Sequence, residues 1–153
     1  IGYGRLGKMM TDYCYAFGMN TLPYDPYKFD ADFELLLKIS DVISLHVHAN
    51  DETRHMINKK TLGKMKNNSY IVNTSRGEIV NEHDIVDALR SGKLKGYATD
   101  VIEDEYGNRE NSPILKGIKE GLNIIVTPHV GGMTWEGQQK AYKWSISKLK
   151  ELK

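Results

Sequence analysis

The sequence contains a single cysteine, Cys14, among its 153 residues. A domain stapled by disulfides is therefore excluded, and a reducing compartment, the cytoplasm, is the expected location. The chain also lacks an excess of charge, with 21 basic and 20 acidic side chains. Because its apolar runs are all too short to span a bilayer as well, neither nucleic acid nor a membrane is expected as a partner.

An initiator methionine is missing too. The sequence starts one residue before a glycine-rich loop, at a point where the first strand of a sheet should already be running. By length the chain is one domain, large enough to bury a core. We therefore expect it to be a piece of a longer protein.

What is present begins with the pattern G-x-G-x-x-G at Gly2, Gly4 and Gly7. In such a loop one glycine makes a tight turn, one lets the backbone approach a pyrophosphate, and one lets the following helix pack closely. Asp25 lies 18 residues after Gly7, where a carboxylate can bind an adenosine ribose diol and repel a 2′-phosphate. The pattern favours a dinucleotide, NAD rather than NADP, over an ordinary glycine turn.

Hydrophobic periodicity predicts short strands that alternate with helices. The predicted strands cover residues 20–24, 42–47, 70–73, 97–101 and 123–126. The predicted helices run from the glycine loop to Gly18, from a cap at Asp30, from Asn58 to Met65, from Asn81 to Gly92, and from Thr134 towards Lys150. Residues 102–122 are predicted to be mostly loop, with a turn at 113–115.

The first of these helices carries an apolar face that we expect to be buried, formed by Leu6, Met9 or Met10, Tyr13, Cys14 and Phe17. Alternating strands and helices predict an α/β fold of Rossmann type, a doubly wound parallel sheet with helices on both faces. Its first strand would be largely missing from this chain. Ligands of such sheets bind beyond the carboxyl ends of the strands.

Three segments at those strand ends resemble the signature blocks of the D-isomer-specific 2-hydroxyacid dehydrogenases. They are N-T-S-R-G-E at 73–78, D-V-I-E-D-E at 100–105 and T-P-H-V-G-G-M-T at 127–134. They follow the glycine loop and Asp25 in the order of that family, and residues 45–47 and 52–58 are similar to it as well. The resemblance covers essentially the whole chain. It implies an NAD-dependent enzyme that transfers a hydride between nicotinamide and C2 of a small D-2-hydroxy or 2-oxo acid.

The resemblance implies three catalytic residues. Arg76 has a planar fork of donors suited to a substrate carboxylate, although it could also be a surface arginine in a turn. His129 would exchange the hydroxyl proton, a role that a lone histidine would not suggest. Glu105 would pair with His129 and favour its imidazolium. Glu103 and Asp104 are adjacent acidic candidates, and the spacing of the family selects Glu105.

The resemblance also implies a set of cofactor-binding residues in the glycine loop and at the strand ends. They are Gly2, Gly4, Arg5, Leu6, Gly7, Asp25, Val47, His48, Thr53, Thr74, Ser75, Arg76, Asp100, His129, Gly131 and Gly132. Arg5 and Leu6 would contact the pyrophosphate, and Asp100 the nicotinamide carboxamide.

Two departures from the family pattern are visible. His48 and Tyr106 stand where the family commonly has proline. His46 and His48 lie on the same side of a strand end and could suggest a metal pair. No third ligand is evident and hydride transfer needs no metal, so no metal is expected.

Members of the family have a second, substrate-binding domain. Residues 1–153 would then be an N-terminally truncated NAD-binding domain, in which residues 134–153 return towards the absent domain. We expect little or no turnover from the chain alone and, by resemblance, a homodimer formed through the nucleotide domain. Two alternatives stay open: a non-enzymatic NAD(H)-sensing module, like the transcriptional corepressors of this fold, and a dehydrogenase of phosphite or formate type.

Overall fold

The computed structural model describes residues 1–28 and 31–151. Within them the chain forms α1 (Arg5–Ala16), α2 (Phe33–Ile39), β1 (Val42–Leu45), α3 (Lys59–Lys64), β2 (Ser69–Asn73), α4 (Glu82–Arg90), β3 (Leu94–Thr99), α5 (Pro113–Lys119), β4 (Ile124–Val126) and α6 (Trp135–Glu151). Two short 3₁₀ turns lie at Gly77–Ile79 and Arg109–Asn111.

The four strands form one parallel sheet in the order β1-β2-β3-β4. Each parallel pair is joined through a helix, α3, α4 or α5 in turn. The carboxyl ends of all four strands therefore lie at one edge of the sheet, and the segments after Leu45, Asn73, Thr99 and Val126 gather there. The predicted α/β fold with a parallel sheet is confirmed.

Helices α2, α3, α4 and α5 pack side by side as one layer. Their apolar side chains meet the strand residues in a core whose fully buried members include Leu37, Leu45, Ile71, Ile85 and Ile114. Burial alternates along β2, as expected of a strand with one well-covered face. The opposite face is more open, since Val72 is half-buried and its neighbour across β3, Ile125, is 63% exposed.

Helix ends follow the predicted caps closely. Asn58 and Thr61 form a reciprocal capping box at α3, and Asn81 accepts the N–H of Asp84 at 3.1 Å. Thr134 accepts the N–H of Gly137 at 3.1 Å at the start of α6. The predicted helices at these three positions are confirmed.

The cap of α2 is Asp32, whose Oδ1 accepts the N–H groups of Glu34 and Leu35 at 2.8 and 3.1 Å. The predicted cap, Asp30, lies outside the described residues.

The prediction that residues 102–122 are mostly loop holds outside residues 113–119, where a helix stands in place of the predicted turn. Helix α5 lies within them, with Pro113 at its first position and Ile114 fully buried. Seven residues are too few to show helical periodicity, and Gly117 weakens the pattern further. A Cβ at Gly117 would lie 2.9 Å from Cδ1 of Ile124, so glycine there lets α5 approach β4.

The strand predicted at 20–24 is also wrong, because no ladder forms there. The N–H of Gly2 donates to the carbonyl of Tyr24 at 2.7 Å. On its other side, Ile1 donates to Ser44 O and accepts from His46 N, both at 2.8 Å. Residues 1–2 thus lie between residue 24 and β1, and two residues are too few to pair with a five-residue strand that contains a proline.

The apolar face of α1 is exposed, contrary to prediction. Leu6, Met9, Tyr13 and Phe17 are 60%, 44%, 57% and 81% exposed, and Gly7 is the one buried residue of the helix within the described chain. Periodicity placed the helix and its end near Gly18 correctly, but it cannot say whether another element covers the face. None of the helices in the described ranges is long and apolar enough to cross a membrane.

Candidate active site

The glycine loop has two glycines fixed by packing and one that faces open space. Gly2 has a φ of +86°, and a Cβ there would lie 2.6 Å from the carbonyl oxygen of His46. A Cβ at Gly7 would lie 2.0 Å from the carbonyl oxygen of Gly2. Gly4 has no atom within 4 Å of its Cβ position. The loop therefore holds the start of α1 against the sheet and leaves space in front of Gly4.

The N-terminus of α1 is built to accept an anion. Its N-cap residue, Gly4, provides no side-chain hydrogen bond, and its first turn contains no acidic residue. The N–H groups of such a turn are available to a phosphate, and the helix dipole favours the negative charge. Leu6 is exposed beside this turn, and the guanidinium of Arg5 lies 5.0 Å from the ring centroid of Trp144 on α6.

Asp25 is buried next to the loop, and its carboxylate already has three partners. Oδ2 accepts from the N–H of Tyr3 and from Nζ of Lys28, both at 3.0 Å, and Oδ1 accepts from the N–H of Tyr27 at 3.2 Å. Burial alone would raise the pKa of Asp25, but the bonds from Lys28, Tyr3 and Tyr27 lower it below its ordinary value. The carboxylate is therefore ionised, and the contact with Lys28 would weaken its repulsion of a 2′-phosphate. Its contact with a ribose stays a prediction.

The segment after β1 lines the same edge. Val47 is half-buried, and its Cγ1 would lie 2.9 Å from a Cβ at Gly2. Exposed His48 accepts the hydroxyl of Thr53 through its carbonyl at 2.5 Å. His46 contacts Ser44 Oγ through Nε2 at 2.9 Å, and its burial lowers its pKa.

These two histidines do not build a metal centre with other side chains. Across residues 1–28 and 31–151, no three histidine, cysteine or acidic side chains are grouped so that they could hold an ion.

The end of β2 places Arg76. Asn73 is fully buried and bonds the N–H of Ser75 at 3.1 Å and the carbonyl of Arg76 at 2.9 Å. The hydroxyl of Ser75 donates to Leu45 O at 2.6 Å and joins the ends of β2 and β1. Thr74 and Arg76 are exposed. The Arg76 guanidinium donates to its neighbouring carbonyl, and no carboxylate of the described residues pairs with it.

His129 and Glu105 form a close pair at this edge. Nδ1 of His129 lies 2.6 Å from Oε1 of Glu105, and the side chains are 29% and 18% exposed. Because an ionised carboxylate only accepts, Nδ1 carries the proton, and Nε2 is left for proton exchange. Glu103 instead binds Arg54 and His55, and Asp104 accepts the N–H of Asn108. The structure thus brings Glu105, of the three adjacent acids, to His129.

Asp100 holds the loop that carries His129. Its buried carboxylate accepts the N–H groups of Val130 and Gly131 at 3.0 and 2.8 Å and the hydroxyl of Thr127. Burial would raise the pKa of Asp100, but these hydrogen bonds lower it below its ordinary value. His129 itself has a φ of +54°, a left-handed conformation that non-glycine residues seldom adopt. The predicted contact of Asp100 with the carboxamide stays a prediction, as does that of Gly131 and Gly132 with the cofactor.

One residue of this region was missed in the sequence. Glu82, in the first turn of α4, is 4% exposed and bonds both Glu103 and Ser112. An acidic residue in a first turn is ordinary, since it favours the helix dipole, so the sequence contained no signal for this role.

Comparisons with known proteins identify the family of this chain. Residues 1–131 match the model of a family described as D-isomer specific 2-hydroxyacid dehydrogenase, NAD binding domain. A hydroxypyruvate reductase of Thermotoga maritima is 36% identical, over 99% of this chain and 51% of that protein. A D-3-phosphoglycerate dehydrogenase of Methanocaldococcus jannaschii is 37% identical, over 99% of this chain and 30% of that protein.

A solved structure is similar over the same extent. D-lactate dehydrogenase from Aquifex aeolicus, complexed with NAD and lactic acid, matches with a TM-score of 0.85 and 33% identity, over 99% of this chain and 51% of that one. The chain spans about half the length, or less, of these relatives.

Proposed function

Since the chain belongs to the D-isomer-specific 2-hydroxyacid dehydrogenase family, as its NAD-binding domain, we propose that it supplies the cofactor site and the catalytic groups for oxidoreduction of a small D-2-hydroxy or 2-oxo acid. The observation that carries the proposal is the His129–Glu105 pair, 2.6 Å apart, at the sheet edge that also bears the uncapped start of α1. A general acid/base and an anion-binding helix end are the two parts that such a reaction needs on one side of a cleft.

The residues of the glycine loop fit the cofactor. Bound in this loop, NAD would supply hydride transfer to or from C2 of the substrate. The open space at Gly4 and the N–H groups of the first turn of α1 would hold the pyrophosphate, and Asp25 the ribose. Val47, His48, Thr53, Thr74 and Ser75 would contact the rest of the cofactor between this loop and Arg76.

The proton follows a separate route from the hydride. As the C2–H bond breaks, Nε2 of His129 takes the hydroxyl proton and the C2 carbonyl forms. The Glu105 carboxylate stabilises the resulting imidazolium. In the reverse direction the imidazolium returns the proton to the carbonyl oxygen. Arg76, exposed and unpaired among the described residues, would bind the substrate carboxylate through two parallel hydrogen bonds.

The comparisons do not favour the two alternatives. The relatives reported above are reductases and dehydrogenases of hydroxy or oxo acids by name. A corepressor-like NAD(H) sensor and a phosphite- or formate-type dehydrogenase therefore have less support than the 2-hydroxyacid reaction.

We further propose a cytoplasmic homodimer joined through this domain, and a substrate domain that α6 approaches. None of the side chains of Trp135–Glu151 is buried against the described part of the chain, and the apolar face of α1 is exposed. Exposed apolar areas of this kind support contacts with further protein surface. Cys14, a free and half-buried cysteine, fits the reducing cytoplasm.

The test is NADH oxidation by the natural gene product that contains this chain, followed at 340 nm with pyruvate, hydroxypyruvate and glyoxylate. We expect turnover with at least one of them. His129→Gln should lower kcat by about 10²- to 10⁴-fold, and Arg76→Lys should raise KM. NADH binding with no turnover of any 2-oxo acid would instead support the sensing module.

A further inference from the structure

The segment that carries Glu105 is fastened at both ends to one carboxylate, that of Glu82. Oε1 of Glu82 accepts the N–H of Glu103 at 2.9 Å, and Oε2 accepts the hydroxyl of Ser112 at 2.7 Å. These donors are nine residues apart in sequence, with Glu105 between them. The carboxylate therefore closes residues 103–112 into a loop.

The first of these anchor points is fixed from two further sides. A Cβ at Gly77 would lie 2.1 Å from the carbonyl carbon of Ile102 and 2.3 Å from the nitrogen of Glu103, so this peptide presses against the turn that follows Arg76. The side chain of Glu103 accepts from Arg54 at 2.5 Å and contacts Nε2 of His55 at 2.9 Å. The backbone two residues before Glu105 is thus held in a defined place.

Packing does not fix the rest of the loop. Residues 106–111 are exposed, and Tyr106 is 88% exposed. Hydrogen bonds inside the loop, such as Arg109 Nε to Glu105 O and the N–H of Asn108 to Asp104, shape it locally. The two bonds to Glu82 attach both ends of this folded loop to α4 and so help to set where Glu105 lies relative to His129.

Burial of the Glu82 carboxylate is energetically unfavourable, and packing or helix capping alone does not explain it. The residue is 4% exposed, and the hydrogen-bonding partners of its carboxylate, a backbone N–H and a hydroxyl, are neutral. A buried carboxylate without a cationic partner is unfavourable unless hydrogen bonds compensate for it. The helix dipole does not require it either, since Asp84 supplies an acid in the same turn and accepts the N–H of Lys59 at 2.7 Å.

We propose that Glu82 is a positioning residue, which holds residues 103–112 so that the carboxylate of Glu105 meets Nδ1 of His129. Its significance for catalysis rests on the function proposed above. The positioning itself is a property of contacts within this chain and can be measured without turnover.

The experiment is NMR of the full 153-residue chain labelled with ¹⁵N. The proton on Nδ1 of His129, shielded from water by Glu105, should give a downfield imidazole signal, assigned by its loss in His129→Gln. We expect Glu82→Ala to lose this signal together with the exchange protection of the Glu103 amide. Glu82→Gln should keep both, because a carboxamide oxygen still accepts the N–H of Glu103. Asp84→Asn is the matched control from the same turn and should keep both as well.

An unchanged His129 signal in Glu82→Ala would overturn the proposal. So would equal loss in Glu82→Ala and Asp84→Asn, which would indicate general loosening of α4. If Glu82→Ala does not fold, Ser112→Ala removes one anchor and leaves the buried charge bonded to Glu103. Its His129 proton should then exchange with water several-fold faster, and exchange at the wild-type rate would overturn the proposal.

The outcome is separable from that of the proposed function. Loss of the signal in Glu82→Ala, in a gene product that reduces no 2-oxo acid, would leave the positioning role standing and the function refuted. In an active gene product, Glu82→Ala should lower kcat without changing NADH affinity, and Glu82→Gln should restore it. Full activity of Glu82→Ala there would refute the positioning role alone.

Discussion

Asp100 holds the loop of His129 through hydrogen bonds to its carboxylate. It accepts three hydrogen bonds from residues 127, 130 and 131 while largely buried. Its pKa in the folded chain is lowered, so the ionised form stabilises the fold. That contribution is fully present above the unfolded pKa of about 4 and is lost as the pH falls through the lower folded value.

We expect Asp100→Asn to lower the free energy of unfolding by about 2 kcal/mol at pH 7, because a carboxamide leaves at least one partly buried N–H without an acceptor. The difference from wild type should shrink as the pH falls below about 4. Urea unfolding at pH 7 and pH 3 measures both values. Asp87→Asn, on a carboxylate paired with Arg90 at the surface, is the control and should change little. A difference that stays constant with pH would contradict this assignment.

Substitution of Gly4 should weaken cofactor binding, whereas substitution of Gly7 should lower the stability of the fold. The methyl group added in Gly4→Ala would lie in open space in the free chain. The urea concentration at the midpoint of unfolding should therefore stay near that of wild type. NADH affinity, measured by fluorescence titration, should fall about tenfold or more, because a methyl group there displaces the pyrophosphate.

Gly7→Ala is the matched variant with the opposite expectation. Its Cβ would lie 2.0 Å from Gly2 O, and overpacking of this kind costs about 1–3 kcal/mol or more. Wild-type NADH affinity in Gly4→Ala would show that no phosphate approaches this loop.

At the scale of elements, α5 is a full part of the core despite its length of seven residues. Ile114 is fully buried, whereas Ile118, one turn later, is 40% exposed. We expect Ile114→Ala to cost about 3 kcal/mol of unfolding free energy through lost burial and an unfilled cavity. Ile118→Ala should cost about 1 kcal/mol or less. Equal effects in urea unfolding would mean that α5 does not pack as described.

At the scale of the whole molecule, the exposed apolar face of α1 bears on the proposed homodimer. Tyr13 and Phe17 are 57% and 81% exposed one turn apart. We expect the wild-type chain to show a mass that rises with concentration in sedimentation equilibrium. The double substitution Tyr13→Lys and Phe17→Lys should keep it monomeric with an unchanged melting temperature.

Tyr15→Lys is the control for that experiment. Tyr15 is 79% exposed and lies about 200° around the helix from Tyr13, so its substitution should leave association intact. A wild-type chain that stays monomeric at every concentration, or disruption by Tyr15→Lys, would exclude this face as the dimer contact.

Local signals explain what the sequence could predict of this fold. Asn58, Asn81 and Thr134 cap helices through hydrogen bonds to residues two or three positions away, so each cap is readable from a few letters. Whether residues 20–24 form a strand, and whether the apolar face of α1 is buried, depends on partners elsewhere in the chain or outside it. Periodicity cannot supply those partners, and both predictions were wrong.

The residues of the site also fall into those that the sequence could indicate and those that it could not. The resemblance of whole sequence blocks indicated Arg76, Glu105 and His129, and the structure places them after β2, β3 and β4 at one edge. Residue types alone could not distinguish Glu105 from Glu103, because both are acids in one short run. Glu82 was out of reach, since its importance depends on a contact with Ser112, thirty residues away.

His129 has a left-handed backbone, with a φ of +54°. At this one position the proposed proton exchange and the stability of the fold favour different residues. A histidine held there gives up about 1 kcal/mol relative to a residue at ease with positive φ. Glycine at this position would relieve the backbone and remove the imidazole in one substitution. Backbone strain at this position is therefore tied to the imidazole on which the proposed proton exchange depends.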